Sequence, residues 1–195
     1  MIRPEWISAA GTFVTGLSAL VAGWAALRGL GAWRSELVGR RKTELAEETL
    51  AQFYRARDVL NWARTPLMSD GPDEDRGASR SEALSAPIER ITEESELFSE
   101  LHANRYRFIA YFGEAAASAF EEIRSVHAEV VTAAGELVRD SSDSDGAEEE
   151  EDAQRETWEE TIGWGLRKDD RIPARVDAAV RKIEEICLPL IQGAH

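Results

Sequence analysis

Residues that could do chemistry are few in this chain, and the three histidines come first. They are His102, His127 and His195, and none has the Glu-x-x-His spacing by which helical bundles hold paired metal ions. His127 falls on the stripe Phe120, Ile123, His127, Val130, Ala134, at helical spacing, so its ring faces the expected core. An imidazole there acts either as a ligand, proton relay or pH-sensitive contact, or as a core residue satisfied by one hydrogen bond. Arg105 interrupts an apolar helix face in the same way. It is either an anion or ligand contact, or half of an ion pair with a glutamate on a facing helix, its stem packed among apolar neighbours. Arg105 and His127 are therefore the buried polar candidates.

The remaining chemistry-bearing residues carry weaker signals. Trp158 and Trp164 lie six residues apart after an acidic tract, which makes them either a docking element or anchors for the last helix. The run Glu148–Asp152 lacks the fixed ligand spacing and glycine of a calcium loop and reads as solvated charge. Cys187 is the one cysteine, so no internal disulfide can form, and a lone thiol on an apolar helix reads as a small core residue. There is no phosphate-cradling glycine loop, no GxSxG and no HExxH. No catalytic residue, metal site or cofactor is expected.

The elements that must position these residues read as helices throughout. Trp6 to Leu27 is twenty-two positions without a charge, followed by Arg28, Arg34, Arg40, Arg41 and Lys42. That length matches a hydrocarbon core of about 30 Å. Trp6 and Trp33 bracket it at roughly 40 Å, given a rise of about 1.5 Å per residue, and tryptophan favours both interfaces. Arg28 and Arg34 complete the interfacial anchors. The basic cluster places the carboxyl side in the cytoplasm and the amino terminus outside. Thr12, Thr15, Ala19, Ala22 and Ala26 line up as a small-residue face, a candidate packing seam for a second span.

The soluble part divides by composition. A helix over about Leu45–Arg64 buries Ala46, Leu50, Phe53, Leu60 and Ala63, and Thr65-Pro66 ends it. Residues 66–81 read as an exposed loop. A second helix runs from Glu82 or Pro87 to Phe112, and a third from Glu114 to Arg139, joined at Gly113 as a tight hairpin or a kinked rod. Asp140 to Glu160 holds eleven acidic residues against Arg155 alone, and this stretch supplies most of the net charge of −14. Residues 140–155 bury too little surface to offset their ordering entropy and read as a disordered linker. Asp169-Asp170 caps a final helix with the stripe Ile172, Val176, Ala179, Ile183, Ile186 and Leu190, which must dock in cis or on a neighbour.

The expected fold is thus all-α: one N-terminal transmembrane helix (5–33), then a cytoplasmic three- or four-helix bundle or long hairpin (34–139), the acidic linker (140–155) and a C-terminal helical segment (156–195). The runs Trp33–Lys42, Phe53–Arg57 and Leu101–Phe108 resemble a group of short bacterial single-span membrane proteins without assigned activity. The resemblance implies a bacterial inner-membrane setting and carries over no functional residue. Expected partners are membrane lipid and either a second copy or another membrane protein. The acidic balance leaves no basic face for nucleic acid. Two functions fit: a membrane-tethered interaction or assembly protein, or a membrane-anchored sensor that responds to a ligand through Arg105 and His127. An enzyme would need a pocket built from residues that form no local motif.

Overall fold

Pro4 opens the first helix at a position where its missing N–H costs nothing, and Pro66 follows its end, as the steric clash with a preceding residue requires. The computed structural model describes residues 4–66, 76–141, 149–164 and 170–193, with the side chains of residues 4–21 and 76–81 and a few others outside the description. The chain divides into two units, Met1–Glu44 and Leu45–His195. The division lies eleven residues beyond the expected end of the membrane segment at 33, and among the described residues the first buried side chain is Leu45.

In the first unit the residues belong to helix α1, Pro4–Ala63. Helix persists through Gly39, whose carbonyl accepts from Thr43 Oγ1 at 3.3 Å, and an Arg40–Glu36 pair lies one turn along. Trp24 and Trp33 are 62 % and 63 % exposed, and the Arg28 guanidinium lies 5.2 Å from the Trp24 ring centre. Among the described residues no helix is long and apolar enough to cross a membrane. Most of the uncharged run Trp6–Leu27 has its side chains outside those residues.

The second unit is a helical bundle. It holds the end of α1 and helices α2 (Arg76–Glu93), α3 (Ser95–Phe112), α4 (Ala117–Asp140), α5 (Glu149–Thr161) and α6 (Arg171–Gln192), with no strand among the described residues. Helix α4 is central and packs on α2, α3, α5 and α6. The main core joins Phe53 and Leu60 of α1, Leu101 and Phe108 of α3, Phe120, Ile123 and Val130 of α4, and Val176 and Ile183 of α6. Phe120 sits between two rings, 5.0 Å from Phe53 edge-on and 5.6 Å from Phe108. A smaller core joins Leu84 of α2, Ala133, Ala134 and Leu137 of α4, and Ile162 just beyond α5.

Three expectations change here. The single helix expected up to Phe112 is two, broken at Glu94 (φ −104°, ψ 19°). The break lets Ile91 and Leu97 both reach the interior, and Arg55 of α1 holds Glu94 at 2.6 Å. Helix α2 starts at Arg76, inside the stretch read as an exposed loop; residues 67–75 of that stretch lie outside the described ones. Helix α5 starts at Glu149, inside the stretch read as a disordered linker, while residues 142–148 lie outside the described ones. Glutamate is a good helix former, and Trp158 and Ile162 give α5 an apolar end to dock on α4.

Two open choices close. Gly113 takes φ 84°, ψ 174°, a conformation that disfavours a side chain. A short 3₁₀ turn, Glu114–Ala116, then returns the chain as an antiparallel α3–α4 hairpin. Helix α6 docks in cis, with Ile172, Val176, Ala179 and Ile183 buried and Asp170 capping it by accepting from Ile172 N at 3.1 Å. Arg175 fastens α6 to Glu122 and Glu129 of α4, and Tyr54 of α1 donates to Glu184 at 2.7 Å.

Candidate functional site

The α3–α4 hairpin brings together the two polar candidates, which are half-buried rather than buried. Arg105 and His127 lie on facing helices and line one cavity of about 370 Å³. Its apolar wall includes Phe98, Leu101, Phe120 and Ile123, and its polar groups include His102, Glu121 and Arg124. Clefts of this size and character, mostly apolar with a few convergent polar groups, are the usual form of a small-molecule site.

Arg105 makes the expected ion pair, Nη2 to Glu121 Oε1 at 2.8 Å, and its guanidinium lies 5.5 Å from the Tyr106 ring centre. Its Nε is buried and has no hydrogen-bond partner. Such a donor retains an uncompensated desolvation cost. Arg124 donates from Nε to the other Glu121 oxygen at 2.9 Å. One carboxylate therefore serves two guanidinium groups. The Arg124 hydrogen bond, aided by the charges of Arg105 and Arg124, holds Glu121 below the usual carboxylate range even against its partial desolvation.

His127 is half-buried, with its ring tilted against Phe98 at 4.4 Å between centres. Burial pushes its pKa below the ordinary 6.5, which keeps the ring neutral at pH 7. It lines the cavity instead of closing off in the core. His102 lies edge-on to Tyr106 at 5.9 Å and lines the same cavity.

The other named residues are placed differently. Trp158 and Trp164 are half-buried against the smaller core, so both indoles anchor α5 and the segment after it within the bundle. A wider cavity of about 560 Å³ between α4 and α5 is lined by Trp158, Arg124 and Glu129 among others. Of the small-residue seam, Ala22 and Ala26 are exposed, and the side chains of Thr12, Thr15 and Ala19 lie outside the described residues, as does that of Trp6. Arg28, Trp33 and Arg34 are exposed. Cys187 is fully buried, and burial pushes its thiol up to about 11. Among the described residues no three His, Cys, Asp or Glu side chains stand close enough to hold a metal ion.

Sequence reasoning missed Arg64. Only 5 % exposed, it donates from Nε to the Thr161 carbonyl (2.7 Å) and from Nη2 to the Glu160 carbonyl (3.2 Å) and to both Asp170 oxygens (2.8 Å). It thus neutralises the carboxyl end of α5 and holds the cap of α6, a favourable place for a cation. Gly163, at φ 84°, makes room for it: a Cβ there would stand 2.4 Å from the Arg64 carbonyl oxygen. The signal was legible as helical spacing, since Arg64 follows Leu60 by four residues on the buried face.

Comparison of the chain with protein-family models, with curated proteins and with solved structures finds no match.

Proposed function

We propose that the protein is a membrane-anchored helical sensor, in which the α3–α4 cavity takes a small ligand and the bundle responds. One observation carries this reading: Arg105 and His127, far from each other in any local motif, line one apolar cavity in which the Arg105 Nε has no partner. The competing idea of an assembly protein leaned on the anchor, the small-residue seam and an unpartnered last helix. Helix α6 is occupied within the bundle, which removes one of those three supports. What still favours a partner is the exposed Trp24, Trp33, Leu37 and Val38 along α1, a surface suited to lipid or to a second copy.

The anchor itself belongs to the proposal: a single span over Trp6–Leu27, amino terminus outside and bundle in the cytoplasm of a bacterial inner membrane. Retention in the membrane pellet after alkaline carbonate washing, with a cytoplasmic signal from a reporter at residue 195, is the expected result. Release without detergent refutes the anchor. For the ligand, a thermal-shift survey of the full chain with nucleotides, divalent metals, lipids and small organic acids is expected to give a stabilising hit that Arg105→Gln diminishes. A flat response across the survey refutes the sensor reading.

A further inference from the structure

The cavity also carries a signature of ligand class. Arg105 and Arg124 share the single carboxylate of Glu121, so the lining holds one positive charge in excess when both histidines are neutral. This excess stands out in a chain of net charge −14. The Arg105 Nε adds a buried donor with nothing to donate to. A planar fork of N–H groups matches a carboxylate geometrically. Among the other lining residues, Phe98, Leu101, Phe120 and Ile123 offer only hydrocarbon.

Resting on the ligand-binding reading above, we infer that the α3–α4 cavity binds a medium-chain monocarboxylate, its head at Arg105 and Arg124 and its chain against Phe98, Phe120 and Ile123. The charge balance argues for one negative group rather than two. A dianion would overcompensate the single excess charge, and Glu121 would repel the second group. The volume argues for a short chain. At about 370 Å³ the cavity lies near the lower end of the range for small-molecule sites, roughly 300–1,000 Å³. A neutral amphiphile would leave the Arg105 donor and the charge unanswered, and a cationic one would add to the excess.

The test uses the full chain in phosphatidylcholine nanodiscs, photolabelled with an alkyl diazirine carboxylate and, separately, with the matching alkyl diazirine alcohol. Labelled peptides are located by mass spectrometry. Octanoate, octan-1-ol, octylammonium and hexadecanoate serve as competitors. Octanoate is expected to displace the carboxylate label from α3 and α4 at least tenfold better than the other three. Arg105→Gln is expected to cut carboxylate labelling about tenfold and to leave alcohol labelling unchanged, which also shows that the cavity is still formed. Equal competition by octanol or octylammonium, or a loss of both labels together in Arg105→Gln, overturns the carboxylate assignment while the ligand-binding reading stands. Stronger competition by hexadecanoate than by octanoate overturns the medium-chain assignment. Failure of both probes to label α3 or α4 overturns the ligand-binding reading itself.

Discussion

Arg64 and Arg105 both interrupt an apolar helix face, and the bundle treats them in opposite ways. Arg64 is enclosed by acceptors: two carbonyls at the end of α5 and a bidentate carboxylate at the start of α6. Arg105 has one ion pair to a carboxylate that Arg124 also claims, and its Nε has no partner. The first arrangement is complete and joins three helices. The second is incomplete and faces a cavity. An arginine with its donors satisfied by the protein holds a fold together, whereas one with a donor and charge left over is placed to meet something else.

The sharpest way to break this contrast is to remove Arg64. Arg64→Met keeps the stem but strands two helix-end carbonyls and the Asp170 carboxylate, so a loss of about 3 kcal/mol is expected in chemical denaturation. A loss under about 1 kcal/mol would mean that the junction is not a keystone. Next comes Gly163→Ala, which meets the Arg64 carbonyl and forces a side chain onto a left-handed backbone. It is expected to cost about 2 kcal/mol in the same measurement, and no change would show that the close approach relaxes freely.

Arg105→Gln should be nearly silent on stability, within about 1 kcal/mol, because Glu121 keeps Arg124 and a buried orphan donor disappears. A cost equal to that of Arg64→Met would erase the distinction between the two arginines. The smallest effect concerns pH. Burial lowers the His127 pKa, so the unfolded chain takes up the proton more readily than the folded one. Stability from this group is full above the unfolded value near 6.5 and declines as pH falls below it. The decline has a ceiling of about 1.4 kcal/mol per pH unit for one proton. Arg105, Arg124, His102 and Glu121 line the same cavity, and burial is the cause of the lowered His127 pKa. His127→Leu should flatten the pH dependence of the melting temperature between pH 6.5 and 5; an unchanged slope would assign it to other groups.

Much of the fold was legible before any coordinates. The stripes Phe53–Leu60, Phe120–Leu137 and Ile172–Ile183 are buried as their spacing required, and the Gly113 break and the Asp170 cap fall where their chemistry places them. Helix α5 was legible only at its end, where Trp158, Ile162 and Trp164 read as a short helix or ordered turn; the stretch from Glu149 is nearly all polar and gives no apolar signal. Nor was the break at Glu94, since a helical stripe continues across it. The cavity was half legible: Arg105 and His127 stood out singly as polar residues on apolar faces, but His102 and Arg124 did not.

From local information alone the chain determines that it is helical, which face of each main helix is apolar and where most of them stop. Those properties depend on neighbours three and four residues away and on single capping or breaking residues. Only tertiary structure decided what each arginine on an apolar face meets. Arg64 finds Asp170 across 106 positions of chain, and Arg105 shares Glu121 with Arg124 because a hairpin set two helix faces against each other. Such pairings depend on which helices pack together and in what register, and no periodicity in a single segment encodes that.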